Sequence, residues 1–277
     1  MVWLQSASTS RGCPRSGAAV KTCPRASVAL VAIGSQLATT VRAQDPFEIQ
    51  IYEYLTVPKG RWNLETHLNY TARGTLEYAG PVAPTNHQTH LTFELTRGIT
   101  DLFEVAGYLV TAYRPDAGAD FVGWRLRPRI RAPERWRLPV KLSLSTELGF
   151  PRAAYEQNSV TFELRPIIER PFGRVQVDLN PVLARALRGP DAHKGWDFEP
   201  GARLAFGVSH ALDLSLEYYG ALGPISDLGP ARDQVHQFFT GGDLQLSTDI
   251  VLNFGLGLGA TDAGNRTVVK LRLGWLF

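Results

Sequence analysis

Alternation of apolar and polar residues with a period of two is the feature that most constrains the fold of this chain. It recurs in twelve segments, each of about ten residues, between Trp62 and Phe277. A period of two is typical of a β-strand whose two faces differ. The polar face of most segments carries charged residues. The sequence therefore predicts an all-β protein with about twelve strands.

Two architectures fit such strands, and the connections between them favour one. In a soluble sandwich or lipocalin-like barrel the apolar faces form an interior core, whereas in a membrane barrel they face lipid. The connections are short at Arg97–Asp101, Arg170–Gly173, Ser209–Ala211 and Ser247–Asp249, and longer at Thr71–His87, Tyr113–Asp120, Phe150–Ser159, Ala184–Trp196 and Ala221–Asp233. Short periplasmic turns and longer outer loops are typical of outer-membrane barrels. We therefore predict a closed, antiparallel, up-and-down transmembrane β-barrel over residues 61–277.

The first 43 residues have the composition of a secretory signal peptide. They contain five basic and no acidic residues, an apolar stretch from Ala26 to Ile33, and a small-residue site ending at Ala43. An organelle transit peptide is a minor alternative. Cleavage after Ala43 predicts a secreted bacterial outer-membrane protein with both mature ends on the periplasmic side. Residues 44–60 are then a periplasmic tail, a lumenal segment or an additional pairing segment.

Removal of this leader changes the charge of the chain and its cysteine content. Residues 44–277 carry 24 basic and 26 acidic residues, so the net positive charge belongs to the leader, and binding to nucleic acid is not expected. Cys13 and Cys23 both lie in the leader. The mature chain is therefore expected to have no disulfide and no cysteine metal ligand.

The last strand ends in a terminal aromatic residue with apolar residues at every second position before it. Leu273, Trp275 and Phe277 form this pattern. It resembles the C-terminal signature of bacterial outer-membrane barrels, which implies recognition by the barrel-assembly machinery and contact with outer-membrane lipid.

A glycine-threonine-aspartate turn follows the second predicted strand. The sequence Gly98-Ile99-Thr100-Asp101, with Glu104 after it, resembles a turn of outer-membrane proteins of the phenol meta-pathway type, a transporter-like barrel family. Gly207–Asp213 and Ser247–Asp249 contain degenerate copies. The resemblance covers turns and the C-terminus, and it implies a transporter-like barrel.

Four arginines on one predicted strand are the strongest local feature. Arg125, Arg127, Arg129 and Arg131 alternate with apolar residues and so share one face, which points into the lumen of a barrel. They either attract anions at a constriction or form ion pairs that fill the lumen. Glu104 on the preceding strand and Glu147 on the following strand are their expected partners.

Catalysis has little support in the sequence. Glu65, His67, His90 and Glu94 are expected near one another on the lumenal face of the first two strands, in a hydrogen-bond network. A metal site there is the less favoured interpretation, and no cofactor is expected. The predicted function is therefore a small-molecule channel or transporter-like porin with a charged lumen, for small anionic or aromatic solutes. The alternatives are a closed structural or adhesive barrel and an outer-membrane lipid or peptide hydrolase.

Overall fold

The structure, a computed structural model, describes residues 45–277, which are almost entirely β-strands and their connections. Twelve long strands and one short one, β10, form a single sheet. The strands are β1 (Trp62–Arg73), β2 (Thr89–Thr100), β3 (Phe103–Arg114), β4 (Gly118–Arg131), β5 (Lys141–Pro151), β6 (Val160–Phe172), β7 (Val175–Arg188), β8 (Asp197–Gly207), β9 (Leu212–Ala221), β10 (Gly223–Pro224), β11 (Val235–Ser247), β12 (Ile250–Gly259) and β13 (Thr267–Leu276). Single 3₁₀ turns occur at Glu134–Trp136 and Ala231–Asp233. The predicted signal peptide, with Cys13 and Cys23, lies outside the described residues.

The sheet closes on itself, because β1 pairs antiparallel with both β2 and β13. At the closing seam Leu64 lies opposite Trp275, and Leu68 opposite Leu271. Each remaining long strand pairs with its neighbours in chain order, except that β9 pairs with β11 because β10 lies against β8. The prediction of a closed, antiparallel, twelve-stranded barrel is confirmed, with one short strand in addition.

The two faces of the sheet differ as the alternation requires. Apolar side chains such as Leu109, Leu216 and Phe238 are exposed on the outside, whereas most of the buried side chains are polar or charged. This arrangement is the reverse of a soluble protein and suits a barrel that faces lipid. Among residues 45–277, no helix has the length and apolar character needed to cross a bilayer.

The connections follow the predicted alternation of short turns and longer loops, with one exception at each end. The segment Tyr113–Asp120 was expected to be a long outer loop, but only residues 115–117 lie outside the strands. The hairpin ladder continues to the pair Arg114 and Gly118, and Gly118 closes it with a positive φ of 78°. At the periplasmic end, residues 132–140 are longer than the other turns and contain a 3₁₀ turn.

Residues 45–60, hereafter the lumenal segment, run through the inside of the barrel. Phe47 contacts Tyr155 of an outer loop, and Thr56 bonds to the periplasmic turn at Asp101. Both mature ends were expected on the periplasmic side. Phe277 lies there, but residues 45–47 lie at the end with the long loops, where Phe47 contacts Tyr155.

Candidate functional site

The arginine row of β4 lies on the lumenal face. Arg125, Arg127, Arg129 and Arg131 alternate with outward-facing side chains such as Trp124. Arg127 and Arg129 keep 3% and 6% of their surface exposed, whereas Trp124 keeps 49%. The strand's period of two therefore separates the charged side chains from the lipid-facing ones.

Arg127, at the centre of the row, is paired with acids on two neighbouring strands. It forms an ion pair with Glu94 of β2, and its Nη1 lies 2.9 Å from Glu104 Oε1 of β3. Its Nε donates to the Tyr108 hydroxyl at 2.7 Å. Arg129 Nη1 lies 3.6 Å from the same Glu104 oxygen. Two buried carboxylates thus compensate the buried guanidinium charges, as charges away from water require.

The two ends of the arginine row contact the lumenal segment. Arg125 Nη1 donates to Glu147 Oε1 at 3.2 Å and also pairs with Asp45. Arg131 Nη1 donates to the Tyr54 hydroxyl at 2.7 Å. The structure therefore brings the row together with its expected partners, and adds partners from residues 45–60 that the sequence did not indicate.

Side chains of the barrel wall hold the backbone of the lumenal segment, which itself forms no strand. The bonds are Asn69 to Pro46 O (2.9 Å), Lys270 to Ile49 O (3.3 Å), Asn180 to Tyr52 N and O (2.7 and 3.0 Å), Ser143 to Tyr54 O (2.6 Å), Tyr54 N to Glu169 (2.8 Å) and Arg129 to Glu53 O and Leu55 O. These side chains come from six different strands. Backbone groups removed from water need such partners, so the wall is built to receive an extended chain.

Tyr52 is the main anchor of the lumenal segment. The guanidinium carbons of Arg165, Arg127 and Arg129 lie 4.5, 4.9 and 5.3 Å from the centre of its ring. Its hydroxyl donates to Glu48. Cation–π contacts of this kind favour an aromatic residue among buried arginines, so one side chain connects the segment to β4 and β6.

Three of the four residues expected to form a network on β1 and β2 lie together. His67 Nε2 is 3.7 Å from Glu65 Oε2 and 3.6 Å from Glu94 Oε2. His90 is separate from them: its Nε2 is 3.0 Å from Gln88 Oε1, and its ring contacts Phe47.

A second group of charges lies across the lumen and was missed by the sequence analysis. Lys270 on β13 donates to Glu217 on β9 at 2.5 Å, and Arg203 on β8 pairs with Asp178 at 3.3 Å and with Asp243. All of these side chains occupy polar positions of their alternating strands. The period of two indicated that they face inward, but nothing local indicated which would meet.

A cavity of about 460 Å³ lies between the lumenal segment and part of the barrel wall. It extends from Glu94 and Arg127 in the middle of the lumen to Asp249 and Leu276 at the periplasmic end. On the outer side, apolar contacts fill the lumen, with Phe47 packed among side chains of β3 and β4 and Ile49 beside Phe239. The lumen therefore has an open, charged periplasmic part and an outer part that the lumenal segment fills with both apolar and charged contacts.

The predicted assembly signal lies on the outer surface of the last strand. Leu273, Trp275 and Phe277 are 43%, 47% and 45% exposed. Phe277 exchanges two backbone hydrogen bonds of 2.8 Å with Trp62, which fixes the end of the chain at the closing seam. The aromatic residues thus lie where a lipid interface is expected, and recognition by the assembly machinery stays a prediction.

The outer loops contain several groups with shifted pKa values, among them Tyr155 and Asp191. Burial, together with nearby Asp120, raises the pKa of Tyr155 to about 12. Burial alone would raise the pKa of Asp191, but hydrogen bonds from Lys194, Asn158 and Gln157 hold it below its ordinary value. Tyr155 lies against Phe47 at the outer end of the lumenal segment.

Solved structures with a similar architecture include outer-membrane porins. The KdgM porin has a TM-score of 0.50 at 7% identity and covers 78% of this chain and 99% of its own, and the NanC porin has 0.50 at 5%, with 78% and 98% covered. The chain has the fold of an outer-membrane β-barrel. The outer-membrane protein Omp33 of Acinetobacter baumannii is also similar, with a TM-score of 0.47 at 8% identity, 81% of this chain and 100% of its own.

The fold and the apolar belt place the barrel in the bacterial outer membrane, in contact with its lipid. No family model and no curated protein matches the sequence. At identities this low, the likeness concerns the fold, so the function is argued from this chain's own lumen.

Proposed function

We propose that the protein is an outer-membrane channel for small solutes, and that the lumenal segment is the part that closes it. The cavity of about 460 Å³ beside the segment carries this proposal. A barrel whose only role is structural gains nothing from a charged space of this size at its periplasmic end. Movement of residues 45–52 away from the outer part of the lumen would join that space to the outside.

The lumenal segment is attached to the barrel wall largely through polar side chains, which supports the proposal that it can move. Its backbone is bound by separate hydrogen bonds from side chains, each of which contributes about 0.5–1.5 kcal/mol net where the partner is neutral and about 1.5–3 kcal/mol where it is Arg129, Lys270 or Glu169. A strand in the barrel ladder would instead exchange bonds along its whole length. Water can replace side-chain partners one at a time, so the segment can leave without opening the barrel itself.

The cavity lining favours cations over anions. Eight acidic and five basic residues border it: Glu53, Glu65, Glu94, Glu104, Asp213, Glu217, Asp243 and Asp249, against Arg127, Arg129, Arg203, Lys270 and Arg272. An acidic excess raises the local concentration of cations. Attraction of anions was one of two interpretations of the arginine row, and the carboxylates that largely compensate its charges favour the other, in which the arginines form ion pairs. We therefore propose small cationic or neutral polar solutes in place of anionic ones.

Locking the lumenal segment tests the proposal directly. A Cβ at Gly201 would lie 2.5 Å from Ile51 Cδ1, and residues 44–277 contain no cysteine. The variant Ile51→Cys/Gly201→Cys, joined by a short, reducible bifunctional thiol reagent, is expected to lose conductance in planar bilayers and to regain it on reduction. The single variant Ile51→Cys, treated with the same reagent, is the control.

A closed structural barrel is the second candidate, favoured by the apolar packing of Phe47 and Ile49 in the outer part of the lumen. It predicts that the unlocked double-cysteine variant and the wild type both stay non-conducting in bilayers. Conductance that persists after cross-linking would instead show that solutes pass without movement of the segment.

Two finer assignments also remain proposals. The turn Gly98–Asp101 supports a relationship to the phenol meta-pathway type of barrel, and the exposed aromatic residues of β13 support recognition by the barrel-assembly machinery. Assembly in the presence of a competing peptide with the sequence of residues 267–277 tests the second. The absence of catalysis stays a prediction, tested by assaying lipid and peptide hydrolysis with His67 and His90 variants.

A further inference from the structure

Glu65 and Glu94 lie directly opposite each other on β1 and β2, with both side chains in the lumen. Like charges at directly opposite positions destabilise a sheet, so the pair requires positive charge. Each carboxylate has one oxygen bound to an arginine: Glu65 Oε1 accepts from Arg272 at 2.6 Å, and Glu94 Oε1 accepts from Arg127. These two arginines fix the direction of the remaining oxygens, which both point towards His67.

The atoms that face one another there have no hydrogen-bond partner. His67 is 1% exposed, and neither its Nε2 nor Glu94 Oε2 makes a hydrogen bond. Their separation of 3.6 Å is longer than a hydrogen bond allows. Buried polar atoms without partners are rare and costly, so this geometry favours an additional group between the imidazole and the carboxylates.

We propose that Glu65, His67 and Glu94 bind a divalent transition-metal ion through Oε2, Nε2 and Oε2. Two ligands at about 2.1 Å from one tetrahedral zinc ion lie about 3.4 Å apart. The histidine-to-carboxylate separations are 3.7 and 3.6 Å, and the three ligand atoms lie within 4.8 Å of one another. A small movement of one carboxylate completes the site.

The surroundings match this assignment in ligand type, access and support. One imidazole with two carboxylates suits zinc and related ions, whereas calcium and magnesium prefer ligand sets made only of oxygen. Glu65 and Glu94 border the charged cavity, which gives an ion a route from the periplasmic side and room for a water ligand. Arg127 and Arg272 act on the second carboxylate oxygens, and partners of this kind orient the ligands of metal sites.

The test measures equilibrium binding of Zn²⁺ to the intact folded barrel, purified without a polyhistidine tag. Titration calorimetry is expected to give one ion per barrel, with calcium and magnesium unable to compete. The His67→Ala variant should bind more than about 100-fold more weakly, since loss of an outer partner alone costs about 10–100-fold. His90→Ala, which removes an equally buried histidine from the neighbouring strand, should bind like the wild type.

A measurement on the wild type covers the case in which His67→Ala does not fold, as judged by heat-modifiable gel mobility. X-ray absorption at the zinc edge should then show one imidazole and otherwise oxygen ligands. Absence of binding by the wild type, equal loss in His90→Ala, or a zinc environment without a single imidazole would overturn the proposal. None of these measurements depends on conductance, so the metal-site proposal and the channel proposal are tested independently.

Discussion

Two sides of the same lumen carry the same kinds of charged residues in different surroundings. On the packed side, formed by β3–β6, the pair Arg127 and Glu104 is 3% and 2% exposed beneath the lumenal segment, although both residues reach the edge of the cavity. On the open side, formed by β1, β9 and β11–β13, the pair Arg272 and Asp243 is 20% and 17% exposed beside the cavity. The comparison separates two uses of a charge. Where water is excluded, an ion pair fixes the positions of its side chains and contributes to stability. Where water enters, the charged side chains set the electrostatic potential that a solute experiences.

The largest difference is expected from breaking a pair on the packed side. Arg127→Gln leaves Glu94 and Glu104 without their main partner, and removal of one member of a buried pair costs about 3–5 kcal/mol. Arg272→Gln on the open side should cost less, about 1–3 kcal/mol, since Arg272 and Asp243 are partly hydrated although Glu65 is buried. Urea unfolding in lipid vesicles, followed by gel mobility, measures both.

A double variant checks the cause of that loss. Arg127→Gln/Glu104→Gln should recover part of the stability, because one uncompensated carboxylate is removed with the arginine. Equal losses in Arg127→Gln and Arg272→Gln would remove the distinction between the two sides.

A glycine of the open wall gives the second largest effect. Gly257 on β12 faces the lumen, and a Cβ there would lie 2.3 Å from the ring of Phe239. Gly257→Ala must displace a buried aromatic ring, which costs about 1–3 kcal/mol. Gly107→Ala is the matched control, since a Cβ at that strand position meets nothing within 4 Å. Thermal unfolding of the two variants should separate them; similar melting temperatures would mean that Phe239 is not held against β12.

The architecture follows from the sequence, and the contents of the lumen do not. The period of two located all twelve long strands and the inward arginines of β4, because each property depends on a residue and its near neighbours. Residues 47–54 also alternate, yet Glu48 and Tyr52 are as buried as Ile49. Their partners are single side chains on strands up to 221 positions away, as for Lys270 and Ile49. Contacts between residues so far apart in the chain leave no local pattern in the sequence. The sequence therefore could not decide whether residues 44–60 are a tail, a lumenal segment or an additional strand.

Ion selectivity should respond on the open side alone. Asp213→Asn/Asp243→Asn removes two of the acidic residues that border the cavity. The electrostatic energy between two unit charges about 4 Å apart in water is about 1 kcal/mol. Loss of the two carboxylates should therefore lower the cation-to-anion permeability ratio severalfold. Glu163→Gln removes one negative charge from the packed side, where Glu163 pairs with Arg165 at 2.7 Å and does not border the cavity. Reversal potentials in a salt gradient distinguish the variants, and a shift from Glu163→Gln would show that ions also pass along the packed side.

The smallest expected effect is a pH dependence at the outer end of the packed side. Burial and nearby Asp120 raise the pKa of Tyr155 from its ordinary value of about 10 to about 12. Because the folded protein binds this proton more tightly, the stability that the group contributes is complete below about pH 10 and is lost as the pH rises towards 12. The phenol is partly solvated, so the loss is small. Tyr155→Phe keeps the ring against Phe47 and removes the titration, and its unfolding midpoint should therefore change less between these pH values than that of the wild type. Identical pH profiles would mean that the Tyr155 phenol has the same pKa in the folded and unfolded states, and that the outer loop does not hold it against Phe47 and Asp120.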